Sequence, residues 1–335
     1  MMSMSNETVG VGVVGVGFVG GQAHAPAFRK IPNSRLAGLA ASTERRVRPL
    51  AEKYGVKYFL DYMELVRNPA VRAIVVATPT PFHFDTAMAA IQNGKHVMCE
   101  MPMASTLREV ETLAKSAEKA RVLLMPVLNF RFTPNYVKAK ELVDSKAIGD
   151  PVAVSFREFI PAKDQAAQWP AGSWAWDKAR SGGFPDFTLS VWSIDLVRWL
   201  LDVEYAEVEW KTNYARLDEY GGTLGYNTMG MAKMTNGVVV SLHYGSTVPP
   251  NAGLSRLEVF GRKAFSLQAE WNNFLTLIGE EGAKQEWKFN ETGTRVWGHY
   301  QIDEHFIKCV LGKEKPKVTV DDAIRAQEVA SRMVK

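Results

Sequence analysis

The chain has 335 residues, a formal net charge of +4, 46% hydrophobic residues, nine tryptophans and two cysteines. That length exceeds one ordinary core and suits two domains, while two cysteines are too few for a disulfide framework or a thiolate zinc site. Cations alternate with acids, as in Glu44-Arg45-Arg46, so no basic block points to nucleic acid, and no apolar run nears the roughly 20 residues of a membrane span.

The first segments alternate short apolar runs with helical stretches. Val11–Val14 reads as a strand, with Pro26–Ile31 in or near the end of the helix after it. Leu36–Ala41, Ala73–Ala77, His96–Cys99 and Val122–Met125 read as further strands. Thr43–Tyr54, Thr86–Asn93 and Leu107–Ala120 read as the helices between them, the first two closed by Gly55 and Gly94. Near-continuous apolar strands alternating with helices predict a doubly wound parallel sheet.

After Ile148–Pro151 the texture changes. Strand patterns follow one another at Val152–Phe159, Ala206–Asn213, Met229–Met234, Val238–Tyr244, Leu257–Gly261, Phe265–Glu270 and Phe274–Ile278. Asn236-Gly237 marks a hairpin, and one apolar helix over Phe187–Leu201 interrupts the series. The fold class is therefore α/β: a Rossmann-type unit, then an α/β domain with an open, largely antiparallel sheet. The expected divisions are residues 1–130, 131–320 and a last helix over 321–335. Residues 1–7 lack a basic region leading into an apolar one, so the expectation is a cytoplasmic protein without a signal peptide.

Gly15-Val16-Gly17-Phe18-Val19-Gly20 spells G-x-G-x-x-G directly after the first strand. Gly15 permits the tight turn, Gly17 lets backbone approach a pyrophosphate, and Gly20 allows close helix–strand packing. The second strand ends at Ala41-Ser42-Thr43, without the acid that would hold the ribose 2′-hydroxyl of NAD. Ser42 and Thr43 can bond a 2′-phosphate and Arg45 and Arg46 can neutralise it, which tilts the expectation from NAD to NADP. Equally, Ser42 or Thr43 can cap the next helix with the arginines facing solvent.

Several segments resemble the Gfo/Idh/MocA family, named for glucose–fructose oxidoreductase, inositol dehydrogenase and a rhizopine-catabolism protein. They are Ala77–His83, Gly94–Pro102 with its Glu100-Met101-Pro102, Asn129–Pro134, Ile148-Gly149, Trp174–Asp195 and Lys315–Ala323. The resemblance spans essentially the whole chain. It implies NAD(P)-dependent oxidoreduction of a sugar-like substrate held over the nicotinamide between two domains. It also implies a homodimer or homotetramer formed through the open sheet. It places Gly15, Gly17, Phe18, Val19, Gly20, Thr78, Pro79, His83, Glu100 and Met101 at the cofactor, with His83 alternatively only ordering a loop. Arg131, just beyond the fifth strand, is expected at the cofactor or as a support for its own loop.

The chain departs from the family where proton transfer is concerned. A hydroxyl becomes a carbonyl only if its proton leaves as hydride departs, which calls for a base, an orienting acid or a cation. Met101 stands at the family's lysine, Thr188 at its aspartate and Trp192 at its histidine. None of the three can exchange that proton as the family residues do. Asp186 comes nearest, two residues early.

Leu189, Trp192, Leu196 and Trp199 follow helical spacing, so this stripe is expected to pack inward, Trp199 above all, with Trp192 either core or substrate contact. Five tryptophans between Trp169 and Trp199 can present faces to sugar C–H surfaces, and Trp176, Thr188 and Trp192 are the expected substrate contacts. The replacement acid–base candidates are Lys163, His243, Tyr244 and Lys178. On one strand His243 and Tyr244 face opposite ways, so at most one serves directly.

The reading is an NAD(P)-dependent oxidoreductase of a cyclic or sugar-like alcohol or carbonyl, with a non-standard proton-transfer group and no metal. Alternatives are an NAD(P)-requiring glycoside-cleaving enzyme and a non-catalytic nucleotide-binding sensor. No nucleic acid or membrane partner is expected.

Overall fold

The computed structural model describes residues 7–181, 185–263, 266–270, 274–289 and 298–334. Two compact units result, one of Met1–Asn129 with Thr292–Ile324, the other of Phe130–Glu291 with Arg325–Lys335. The first unit ends at Asn129, next to the expected division at 130, and takes in residues 292–324 as well. An unanticipated amphipathic helix buries Ile302, Phe306 and Ile307 against the first helix of the first unit, and carries its neighbours there.

In the first unit, β1 (Val9–Val14), β2 (Ser34–Ala40), β3 (Tyr58–Phe59), β4 (Ala73–Val76), β5 (His96–Cys99) and β6 (Leu124–Pro126) form one sheet, ordered β3-β2-β1-β4-β5-β6. Every pairing is parallel. All six residues of β1 and all four of β4 are buried, as expected of strands covered on both faces. The order reverses between β1 and β4, the switch point where such sheets bind ligands at the carboxyl ends of their strands.

Helices α1 (residues 18–27), α2 (Glu44–Tyr54), α3 (Tyr62–Arg67), α4 (His83–Gln92) and α5 (Leu107–Ala120) connect these strands. Gly20–His24 winds as a π-helical turn within α1. A capping box starts α5, with Thr106 accepting from the Glu109 amide and Glu109 accepting from the Thr106 amide. Both β3 and α3 escape sequence reading because each is too short to show a period.

The second unit adds α6 (Pro134–Asp144), β7 (Pro151–Pro161), α7 (Ala162–Gln168), α8 (Lys178–Ser181), α9 (Pro185–Leu201) and β8 (Tyr205–Leu217). Strands β9 (Thr223–Met234), β10 (Val239–Val248), β11 (Leu254–Gly261), β12 (Ser266–Glu270), β13 (Phe274–Ile278) and β14 (Lys284–Lys288) follow. Together they make an eight-stranded sheet, antiparallel except where β10 runs beside β7. Gly237, at φ 90°, turns the β9–β10 hairpin as its Asn-Gly sequence predicts. Alternation along β9 and β10 buries Ala232, Val240, Leu242 and Tyr244 on one face and exposes Met229, Met231 and Val239 on the other. The remaining helices are α10 (His299–Val310), in the first unit, and α11 (Val320–Ser331), where Thr319 and Asp322 cap one another. No helix among the described residues is long and apolar enough to cross a membrane.

Candidate functional site

The glycine loop after β1 has the geometry its sequence demands. Gly15 sits at φ +92°, and a Cβ there would fall 2.4 Å from the Ala77 carbonyl oxygen. A Cβ on Gly20 would lie 1.9 Å from the Gly15 carbonyl oxygen, so α1 leaves the sheet only because both residues lack one. Gly17 differs: a Cβ there would meet nothing within 4 Å, leaving open space above the loop. Phe18 is 43% exposed and Val19 half-buried at the start of α1. A backbone surface free to approach a pyrophosphate, set at a helix start, fits a dinucleotide.

At the end of β2, Ser42, Thr43, Arg45 and Arg46 are all exposed. Thr43 is the N-cap of α2 but its hydroxyl makes no capping bond. Glu44, the first acid after β2, is engaged by the Tyr58 hydroxyl at 2.6 Å and by Arg48.

Two loops follow at the carboxyl ends of β4 and β5. The Thr78 hydroxyl oxygen is buried and has no hydrogen-bond partner among the described residues. His83 is buried between two carbonyls, with Nε2 2.6 Å from Thr78 O and Nδ1 2.8 Å from Pro102 O. Burial holds the His83 pKa below the usual histidine range, against the pull of those carbonyls. The ring therefore sits between the Thr78-Pro79 turn and the Met101-Pro102 turn, and in its neutral form donates to one of the two carbonyls. Met101 is itself buried.

Beneath these loops lies a charge network that sequence reading missed. His24 on α1 places Nδ1 2.8 Å from Asp303 and Nε2 3.0 Å from Glu100. Ionised carboxylates only accept, so these two partners favour protons on both ring nitrogens of His24. Burial opposes that charge, but Asp303 and Glu100 outweigh it and raise the pKa to about 10. Glu100 also accepts from His299 Nε2 at 3.3 Å and from the Met101 amide. Burial pushes its carboxyl up, yet His24 and His299 hold it at about 2. Burial raises Asp303 against the pull of His24, and its second oxygen has no partner among the described residues.

His24, Glu100 and His299 offer three ligand atoms within 4.8 Å, enough to hold a metal ion in principle. The residues of the network lie up to 279 positions apart, so no local pattern announces them.

The second unit sorts the remaining candidates. The Arg131 guanidinium grips Asp195 with two bonds of 2.7 and 2.5 Å, the two side chains being buried. Tyr244 is 1% exposed, its hydroxyl sits 2.5 Å from Ser193 Oγ, and burial drives its pKa far above the usual range. His243 points to the opposite face of the sheet, edge-on to Phe159 at 4.7 Å, its pKa lowered by burial and by Arg157. Lys163 is exposed on α7.

Trp176 is half-buried and donates through Nε1 to the Trp169 carbonyl at 2.9 Å. Thr188 is 8% exposed on α9 and Trp192 half-buried. Of the expected inward stripe, Leu196 is fully buried and Leu189, Trp192 and Trp199 are half-buried, while Val191, Ile194, Val197 and Leu200 also fill the core. Gly182, Gly183 and the side chains of Lys178 and Asp186 lie outside the described residues. Cys99 is buried and its thiol pKa pushed up by burial, so it is no nucleophile.

One further group stands out. Glu158 on β7 is half-buried, beside Tyr244 of β10 and Ser255 of β11 in register. Burial raises its carboxyl pKa to about 7. The sequence did hold a signal, since Glu158 shares strand parity with the buried Val154 and Phe156.

Residues 9–127 match an oxidoreductase family with an NAD-binding Rossmann fold, and residues 136–265 match the GFO/IDH/MocA C-terminal domain. The chain is 28% identical to a myo-inositol 2-dehydrogenase of Thermotoga maritima over 93% of its own length and 91% of the relative's. It is 25% identical to an NAD(+) scyllo-inositol 2-dehydrogenase of Bacillus subtilis, covering 95% and 90% of the two chains. The crystal structure of myo-inositol 2-dehydrogenase from Lactobacillus plantarum superposes with a TM-score of 0.81 at 22% identity, covering 98% of this chain and 96% of that one. That likeness shows a shared fold.

Proposed function

The chain is a member of the Gfo/Idh/MocA oxidoreductase family, and from that premise we propose that it oxidises or reduces a cyclic polyol or similar sugar-like alcohol. The observation that carries this reading is the glycine cradle, where Gly15 and Gly20 admit no side chain and Gly17 leaves the approach open. A bound nicotinamide dinucleotide would supply hydride acceptance or donation. Gly15, Gly17, Phe18, Val19 and Gly20 would hold its pyrophosphate at the start of α1. The orphaned Thr78 hydroxyl, with Pro79, lines the loop that His83 fastens to the Met101-Pro102 turn. Glu100 would keep that second loop in place through its Met101 amide bond rather than touch the substrate itself.

NADP is preferred over NAD in this reading. The uncapping hydroxyl of Thr43, exposed Ser42 and exposed Arg46 support it, as does the engagement of Glu44 elsewhere. Trp176, Thr188 and Trp192 are proposed substrate contacts, and the proton is transferred by a group other than the family's lysine, aspartate and histidine. The exposed Met229, Met231 and Val239 on the outer sheet face support a homodimer or homotetramer formed there.

Fluorescence titration with NADPH and NADH, followed by absorbance assays on myo- and scyllo-inositol and related polyols, tests the proposal. Tighter NADPH binding and substrate-dependent turnover are expected. A protein that binds neither dinucleotide refutes it.

A further inference from the structure

With Met101, Thr188 and Trp192 unable to exchange a proton, the proposed reaction needs another group to do so. The helix-backed face of its sheet narrows the choice. Helix α9, which carries Thr188 and Trp192, packs on β7, β9 and β10, and its Ser193 bonds Tyr244 on β10. Glu158 lies directly beside Tyr244 in the β7–β10 register and beside Ser255 in the β7–β11 register. The residue is half-buried, and no hydrogen bond or ion pair engages its carboxylate among the described residues.

Few charged or titratable groups on the surrounding elements compete with it. Tyr136 of α6 and Tyr244 of β10 are buried phenols whose pKa values burial raises. On α9, Asp195 is paired with Arg131 and Arg198, and Arg198 also with Glu204. On α7, Lys163 and Asp164 are exposed. A carboxylate paired with no cation among the described residues, on the sheet face against which the helix of Thr188 and Trp192 packs, is an available base.

We propose that Glu158 is the catalytic acid–base that exchanges the proton of the substrate's reacting secondary hydroxyl. This rests on the oxidoreductase reading and names the group that reading left open. In the oxidative direction a bound oxidised nicotinamide would supply hydride acceptance as the carbinol C–O bond becomes C=O. The hydroxyl proton passes to the Glu158 carboxylate, and the protonated carboxyl returns it to water. In reduction the same carboxyl donates the proton to the forming alkoxide. Burial that lifts Glu158 to about 7 matches it to either direction near neutral pH.

The test compares wild type, Glu158→Gln and Glu158→Asp, each checked by thermal melting and by NADPH affinity. Polyol oxidation by wild type should rise with pH through about 7. Glu158→Gln should lower kcat by about 10²- to 10⁴-fold with NADPH affinity and melting retained, and Glu158→Asp should recover part of the loss. Independently of activity, difference infrared spectra of the ligand-free protein should show a protonated carboxyl fading near pH 7, absent from Glu158→Gln. Turnover retained in Glu158→Gln, or a Glu158 carboxyl already ionised throughout the pH range, overturns the assignment and leaves the oxidoreductase reading standing. A wild type inactive on every polyol overturns both.

Discussion

The sharpest energetic consequence concerns the imidazolium of His24, held between Asp303 and Glu100 at 2.8 and 3.0 Å. Replacing it by His24→Gln keeps an amide donor but removes the charge, leaving two buried carboxylates without their shared cation. Breaking such a buried arrangement costs about 3–5 kcal/mol. The pH dependence follows from the direction of the shift. His24 is raised from 6.5 to about 10, so its contribution is complete below pH 6.5 and is lost as pH climbs through about 10. At ~1.4 kcal/mol per unit, the full span is on the order of 5 kcal/mol.

Glu100 behaves in the opposite sense. Lowered from 4.5 to about 2, it contributes above pH 4.5 and fails as pH falls through about 2. The two shifts describe one network and are not added, but together they put its greatest effect between pH 4.5 and 6.5. Because the chain has two units, hydrogen exchange of β5 and α10 amides is a better assay than a single unfolding midpoint. Opening in His24→Gln should be easier by about 3–5 kcal/mol at pH 6 and nearly as in wild type at pH 10. Nitrogen NMR of the wild-type imidazole at pH 7.5 should show protons on both ring nitrogens. A singly protonated ring, or a variant equally weakened at both pH values, refutes the reasoning.

Other outcomes follow from single positions. Gly17→Ala should fold normally, because its Cβ meets nothing, yet weaken NADPH binding at least about tenfold by filling the approach to the pyrophosphate. By contrast Gly20→Ala, with its Cβ 1.9 Å from a carbonyl oxygen, should lower the melting temperature sharply. Arg46→Ala should weaken NADPH about 10- to 100-fold in a fluorescence titration and leave NADH unchanged. Met231→Glu combined with Val239→Glu should shift the sedimentation profile to monomer while far-ultraviolet circular dichroism is preserved, since both side chains are exposed on the monomer.

The sequence by itself determined whatever depends on neighbours in the chain. Period and burial made β1, β4 and β5 readable as parallel strands, and Thr106 with Glu109 marks the start of α5 within four residues. The glycine spacing carried the dinucleotide loop for the same reason: its constraint is backbone geometry over six residues. Even Glu158 was legible as a lone carboxylate on the buried parity of an apolar strand. Only the tertiary structure decided where partners distant in sequence meet. Arg131 turned out to serve Asp195, 64 positions away, and Tyr244 to be sealed against Ser193, 51 positions away. His24 gained its charge from Asp303, 279 positions away. The state of a buried ionisable group is set by which opposite charge folding brings to it, and no local pattern encodes that meeting.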